Sequence, residues 1–193
     1  MALKQNTWKI NQWYDQAVAG NISYSSTNGA LWSWGQNQNG VLGVNSQIRY
    51  SSPVQVGSGI DWENLGVDGR RYAGSGGIKS DGTMWLWGRN SSGSLGQNNK
   101  TYYSSPVQVP GTSWSKFGYS VDKVGGIKTD GTLWTWGRNN QGGLGQNNKT
   151  YYSSPVQIPG TNWSENISSG ITNMAAIKTM EHCGHGEKIM LEP

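Results

Sequence analysis

The hydrophobic pattern along this chain signals strands throughout. In the stretch GGIKTDGTLWTWG (Gly125–Gly137), two short apolar runs flank Asp130-Gly131. That dipeptide is a strong signal for a two-residue hairpin turn. Asp81-Gly82 and Asn28-Gly29 stand at the equivalent places. Trp134 and Trp136 lie two apart, so they share one face of a strand. RNNQGGLG (Arg138–Gly145) follows, with Asn and Gly where the chain must turn with positive φ. SSPVQIPG (Ser153–Gly160) then reads as a short strand bracketed by prolines, which suits an edge or a strand start. A segment around a lone Trp supplies one strand more. Four short strands in about 50 residues match the size of a propeller blade.

The same order recurs along the chain. LWSWGQNQNGVLG begins at Leu31, MWLWGRNSSGSLG at Met84 and LWTWGRNNQGGLG at Leu133. Trp34, Trp87 and Trp136 therefore stand 53 and 49 residues apart. Each stretch is followed by a similar tail, from Arg49, Tyr102 and Tyr151. A lone Trp precedes each unit: Trp13, Trp62, Trp114 and Trp163. The chain divides into a lead-in (1–12), full units near 13–61, 62–113 and 114–162, a partial unit (163–179) and a divergent tail (180–193).

Composition sharpens this picture. Of 193 residues, 34% are hydrophobic and 13% charged, with 29 Gly, 11 Trp and a single Phe. Burial rests on indoles and phenols over a Gly-rich frame, which suits short strands and many turns. Long helices would need more Ala, Leu, Glu and Lys. The net charge of +4 is spread thinly. The longest basic run is Arg70-Arg71, which offers no stripe for a specific nucleic acid. No apolar run approaches a membrane span, and Met1–Gly20 shows no signal-peptide pattern. One cysteine excludes an internal disulfide.

The D-G-T turn, the W-G pair, the N-x-x-G-x-L-G turn and the later Pro-Val stand in order from Trp13 to Thr179. In this order they resemble the repeat of the regulator of chromosome condensation family. Kelch repeats are the runner-up, on Gly76-Gly77 and Gly125-Gly126, but they lack the L-G turn. The resemblance implies an all-β, incomplete propeller of about three and a half blades. Family members usually form seven-bladed rings, so either another chain completes the ring or this chain is a piece of something longer. Such propellers chiefly bind. The family's eukaryotic founder is a nucleotide-exchange factor for a small nuclear GTPase. The loops that carry that activity have no match here.

The opening MALKQNTWKINQWYDQAVAGN resembles the start of virion or tail-associated proteins of marine bacteriophages. The first functional expectation is thus a non-enzymatic phage adhesion or structural module that binds a protein partner or a surface glycan. It would be virion-associated. The alternative is a cellular propeller adaptor or exchange factor, which would be cytoplasmic.

No convergent catalytic set is visible, and no cofactor motif. Asp81 and Asp130 belong to the turns. Asp61, Glu63, Asp68 and Glu165 sit around the lone Trp residues with nothing to fix their geometry. Lys79, Lys128, Lys178, Arg89 and Arg138 recur at fixed places and read as architecture. The candidate binding residues lie in the two NNKTYYSS loops: Asn98, Asn99, Lys100, Tyr102 and Tyr103, then Asn147, Asn148, Lys149, Tyr151 and Tyr152. Consecutive tyrosines on a strand cannot both face inward. One of each pair is therefore expected at the surface, suited to a protein or a sugar.

The tail holds His182, Cys183 and His185, a poor fit to the usual zinc spacings. After AAIKT (Ala175–Thr179) the repeat calls for D-G-T-L-W-T-W-G, but the chain reads M-E-H-C-G-H-G-E. Back-translated and read one base out of register, the tail permits that missing motif throughout and forces its Gly and Leu. The tail is thus read as the fourth unit out of frame. The strand near Ala175–Lys178 would then be left at an open sheet edge, a site for self-association or a partner chain. Sequencing the DNA across codons 175–193 and beyond should reveal further W-x-W-G units in the shifted frame. Their absence there would discard the out-of-frame reading.

Overall fold

The computed structural model describes residues 29–67, 74–120 and 122–179. The lead-in, the start of the first unit at Trp13 and the tail 180–193 lie outside the described residues. Twelve strands are present among those described. They are β1 (Trp32–Gly35), β2 (Tyr50–Gln55), β3 (Trp62–Val67), β4 (Gly74–Lys79), β5 (Met84–Gly88) and β6 (Tyr103–Gln108). The second half comprises β7 (Trp114–Ser120), β8 (Lys123–Lys128), β9 (Leu133–Gly137), β10 (Tyr152–Ile158), β11 (Trp163–Ser169) and β12 (Met174–Lys178).

They form two antiparallel four-stranded sheets, β3-β4-β5-β6 and β7-β8-β9-β10. Two-stranded sheets β1-β2 and β11-β12 flank them. Each full sheet is one blade of an incomplete propeller. By sequence, β1-β2 corresponds to the last two strands of a blade and β11-β12 to the first two.

The lone Trp opens each blade, and glycines make room for it. A Cβ at Gly77 would stand 2.7 Å from the Trp62 ring, and one at Gly126 2.7 Å from the Trp114 ring. The second glycine of the Gly-Gly pair thus lets the indole of the first strand pack against the backbone of the second. Trp62 and Trp114 are both buried.

The turn between the second and third strands differs from the two-residue hairpin that Asp-Gly predicts. Lys79 N–H donates to the Thr83 carbonyl, and Gly82 N–H to the Lys79 carbonyl. Three residues, Ser80 to Gly82, therefore make the loop, and of the Asp-Gly pair only Gly82 has positive φ (75°). The cause is local. The Asp81 carboxylate accepts from both the Thr83 N–H (2.9 Å) and the Thr83 hydroxyl (2.6 Å), which fixes Asp81 as the head of an Asx turn. Asp130 and Thr132 repeat this arrangement.

Blades join through two recurring links. The turn glycine accepts from the lone Trp of the next blade: Gly29 from Trp62, Gly82 from Trp114 and Gly131 from Trp163. In the other direction, the second Trp of W-x-W-G reaches back to the previous unit. Trp87 Nε1–H donates to the Val41 carbonyl (2.9 Å) and Trp136 Nε1–H to the Ser94 carbonyl (2.8 Å). The main core gathers around this second link: Ile78, Met84, Leu86, Leu95, Val109, Trp114, Tyr119, Val124 and Trp136. Trp32 and Trp34 differ from the other W-x-W-G indoles, being 49% and 60% exposed. They belong to the first described unit, and no described turn precedes it to receive Trp34.

Trp136 is fully buried, so Trp136→Ala should remove its packing and leave the Ser94 carbonyl without its donor. The expected cost is about 3–5 kcal/mol of unfolding free energy, measurable by urea denaturation. An effect below about 1 kcal/mol would show that the link contributes little.

Candidate functional site

Antiparallel order places the β5–β6, β7–β8 and β9–β10 connections at one end of the blades. The β5–β6 and β9–β10 connections are long and hold the NNKTYY loops. Their shape is set by Asn90 and Asn139, the Asn of N-x-x-G, both buried. Neither has positive φ, contrary to a reading of the turn Asn as backbone permissive; that role falls to Gly93, Gly142 and others. Instead the Asn90 side chain staples the loop. Its oxygen accepts from Leu95 N–H (2.8 Å), while its amide donates to the carbonyls of Asn99 (3.1 Å) and Thr101 (3.0 Å). Asn139 makes the same bonds to Leu144 N–H and the Asn148 carbonyl.

Within the loops, Asn98 and Asn147 adopt positive φ (55° and 54°). Asn98 N–H donates to the Ser153 carbonyl of the next blade (2.7 Å). Asn99 and Asn148 head Asx turns, their oxygens accepting from Thr101 N–H and Thr150 N–H. Their amides donate to the hydroxyls of Tyr103 (3.1 Å) and Tyr152 (2.9 Å). Tyr103 and Tyr152 pack against the main core. Tyr102 and Tyr151 are 44% and 41% exposed. Lys100 and Lys149 are exposed. Each loop thus holds one exposed Tyr near a Lys on a backbone fixed by side-chain bonds.

The same end carries a charge cluster that the repeat pattern hides. Asp122, buried between β7 and β8, faces Arg89 Nε at 3.8 Å and Arg138 Nη1 at 3.9 Å, and accepts from Ser91 Oγ at 3.3 Å. Its carbonyl also accepts from Arg138 N–H. Beside it, Lys123 is buried and donates to the Asn173 carbonyl (3.3 Å). Burial pushes the Lys123 ammonium below its usual range, and the Arg138 charge adds to the push. Asp122 occurs in one unit only, so no recurrence marks it in the sequence. Lys123 replaces the Gly74 of the previous blade.

At the opposite end the IK lysine of each full blade lies between two indoles. Lys79 Nζ sits 5.2 Å from the Trp62 ring and 5.0 Å from the Trp85 ring; Lys128 Nζ sits 4.9 Å from Trp114 and 5.0 Å from Trp134. The distances fit cation–π contacts. The first Trp of W-x-W-G also donates to the turn hydroxyl, Trp85 to Thr83 and Trp134 to Thr132. Of the acidic residues around the lone Trp positions, Asp61 pairs with Lys79 Nζ at 3.1 Å and Glu63 is exposed. Asp68, the Glu165 side chain and the cluster His182, Cys183 and His185 lie outside the described residues. Among the described residues no group of three or more His, Cys, Asp or Glu could hold a metal ion. No described helix is long and apolar enough to cross a membrane.

Meandering four-stranded blades, joined by an indole that reaches back to the previous turn, define a β-propeller repeat protein. The sequence profile of the regulator of chromosome condensation (RCC1) repeat matches residues 28–62, 81–118 and 130–177, and the chain belongs to that family. It is 35% identical over 77 residues to the Protein RCC2 homolog of Danio rerio, covering 39% of this chain and 15% of that protein. In fold it resembles human WBSCR16, with a TM-score of 0.66 at 17% identity over 79% of this chain and 41% of that one. It also resembles Prp20p from Saccharomyces cerevisiae, with a TM-score of 0.66 at 16% identity over 79% of this chain and 40% of that one. Yeast RCC1 (Prp20) bound to Kap60 gives a TM-score of 0.63 at 19% identity over 79% of this chain and 38% of that one. The chain therefore spans about two fifths of the length of these solved propellers.

The turn hydrogen bonds have a pH signature. The Thr83 hydroxyl, then the Thr83 N–H, hold the Asp81 carboxyl below its ordinary value, and Thr132 does the same for Asp130. A carboxyl depressed in the folded state stabilises the fold above its unfolded value of about 4. That contribution is lost as pH falls through the lower folded value. Replacing both threonines (Thr83→Val with Thr132→Val) should raise both carboxyl titrations toward the ordinary value in carbon-detected NMR. It should also flatten the fall of the urea midpoint below about pH 4. Unchanged titration curves would refute the assignment.

Proposed function

We propose that this chain is a non-enzymatic protein-binding module, an adaptor of the RCC1 propeller type, whose partner docks on the end carrying the NNKTYY loops. The observation that carries this reading is the pair of exposed tyrosines, Tyr102 and Tyr151, each near a lysine on a loop fixed by Asx turns and a buried Asn. Exposed Tyr on a pre-formed backbone offers a large amphipathic contact at low entropic cost. The division into units 62–113 and 114–162 gives each unit one such loop. Relatives described with protein partners support a protein ligand over a glycan. Prp20p was described with its binding to Gsp1p and histones, and yeast RCC1 with Kap60. They favour the cellular adaptor reading over virion adhesion, for which they offer no support. The likeness to Prp20p also favours a second reading, an exchange factor for a small GTPase.

The chain should capture a specific protein in cross-linking proteomics of extract from its source cells. The double variant Tyr102→Ala with Tyr151→Ala should weaken that capture at least tenfold (about 1.4 kcal/mol or more) without changing the unfolding midpoint. Equal capture by the variant would move the interface elsewhere. Binding to a glycan array without any protein partner would overturn the reading, and accelerated GDP release from a small GTPase would select the exchange-factor form.

A further inference from the structure

Charge is sorted between the two ends of the blades. The loop end carries Arg49, Arg89, Lys100, Lys123, Arg138 and Lys149, and among the described residues it has one acidic side chain, Asp122. Asp61, Glu63, Asp81 and Asp130 stand toward the opposite end. There Asp61 pairs with Lys79, and the two turn carboxylates accept from threonines. The loop face is therefore more basic than a thinly spread net charge of +4 suggests.

Two of those cations converge. Arg89 and Arg138 each follow the W-G pair and directly precede the buried Asn that staples the loop. They come from neighbouring blades, yet Arg89 Nε lies 3.8 Å and Arg138 Nη1 3.9 Å from the one carboxylate of Asp122. The Asp122 side chain is 7% exposed, against 29% for Arg89 and 46% for Arg138. The carboxylate thus lies beneath, and the guanidiniums face solvent. Neither contact is short enough for a hydrogen bond. Each Nε–H donates instead within its own turn, to Ser91 Oγ (3.0 Å) and Asn140 Oδ1 (3.1 Å). The terminal nitrogens donate no hydrogen bond among the described residues. Lys123, buried beside them, donates to a neutral carbonyl. Burial and then the Arg138 charge hold its titration below the ordinary range. Three cations therefore share one carboxylate. Thr172 holds the place of Asp122 in the following sheet, so Arg138 meets no second acid there.

We propose that Arg89 and Arg138 form a two-pronged site for a carboxylate of the protein partner, an Asp or Glu in an acidic segment, with Asp122 as the positioning residue that draws the prongs together. The inference rests on the loop end being the docking face, and it names the chemistry of what docks there. Guanidinium nitrogens present a planar fork of donors that matches a carboxylate. An incoming carboxylate supplies the acceptors that the terminal nitrogens lack and offsets the surplus positive charge. Tyr102 and Tyr151 stand on the loops that follow the two arginines and offer apolar contact to the rest of the segment. The site is local: Ser91, Ser92, Asn140 and Gln141, all neutral, adjoin the arginines in their turns. A phosphate backbone is better served by a continuous track of cations.

Fluorescence anisotropy of a labelled oligoglutamate peptide, titrated with the full chain, tests this. Saturable binding is expected, with none to the oligoserine counterpart. Arg89→Gln with Arg138→Gln should weaken it about tenfold or more. Lys100→Gln with Lys149→Gln removes the same charge from the same end, but these exposed lysines act as screened charges, so the loss should stay below about threefold. Asp122→Asn separates position from charge. Loss of a negative charge beside the site would by itself tighten binding, whereas loss of the positioning residue should weaken it. If that variant lowers the unfolding midpoint, Arg89→Lys with Arg138→Lys decides instead, since it keeps the charge, loses the fork and should weaken binding. No binding of oligoglutamate, equal losses from the arginine and lysine pairs, tighter binding by a stable Asp122→Asn, undiminished binding by the lysine replacements, or tighter binding of an oligothymidylate of equal charge would each overturn the proposal. Capture of the cellular partner that is lost in Tyr102→Ala with Tyr151→Ala but intact in Arg89→Gln with Arg138→Gln would overturn this site and leave the loop-end reading standing.

Discussion

The indole N–H of the second Trp in W-x-W-G is the constraint on which the other repeated features depend. A buried indole needs an acceptor, and leaving it without one costs about 1–3 kcal/mol. The acceptor here is a carbonyl in the previous unit, at Val41 for Trp87 and Ser94 for Trp136. That carbonyl is presented only if the turn around it is fixed. The buried Asn of N-x-x-G fixes it by bonding Leu95 N–H, and Gly93 and Gly96 supply the positive φ that bends the chain. Gly96 also admits the ring, since the Trp136 indole lies within contact distance of where its Cβ would be. The W-G pair, the Asn and the L-G turn are therefore parts of one contact, which explains why they travel together.

Much of this was legible in the sequence because recurrence exposes architecture. The strands, the blade order and the outward place of one Tyr in each pair follow from alternation and period. What was not legible has local causes. Asp-Gly reads as a two-residue turn, but the next residue, Thr, captures the carboxylate and adds a residue to the loop. Asn90 and Asn139 read as backbone-permissive, but they act through side chains that only the folded loop brings against Leu95 and Leu144. Asp122 occurs once, so no pattern marks it, and its two arginines come from different blades. Trp34 is likewise exposed in the same W-x-W-G motif that buries Trp87 and Trp136, a difference the motif itself does not show.

The frame and the candidate site divide the chain's labour. One end of the blades is committed to structure, with the D-G-T turns, the indole–lysine sandwiches and the links from turn glycine to lone Trp. The other end carries the long loops, and there Tyr102 and Tyr151 sit on a backbone that the frame holds still. Such a division lets recognition change through loops while the blades keep their packing. The chain spans about two fifths of the length of the solved propellers it resembles.

Two indole pairs, Trp62–Trp87 and Trp114–Trp136, are held with ring centroids 5.9 Å and 5.8 Å apart at interplanar angles of 70° and 57°. Rings so close and so tilted couple their electronic transitions. Each pair lies within one blade, between its first and third strands, so each full blade carries its own optical signature in circular dichroism. It exists only while the first and third strands of that blade hold their indoles together, so it reports the packing of one blade and not the contact between two.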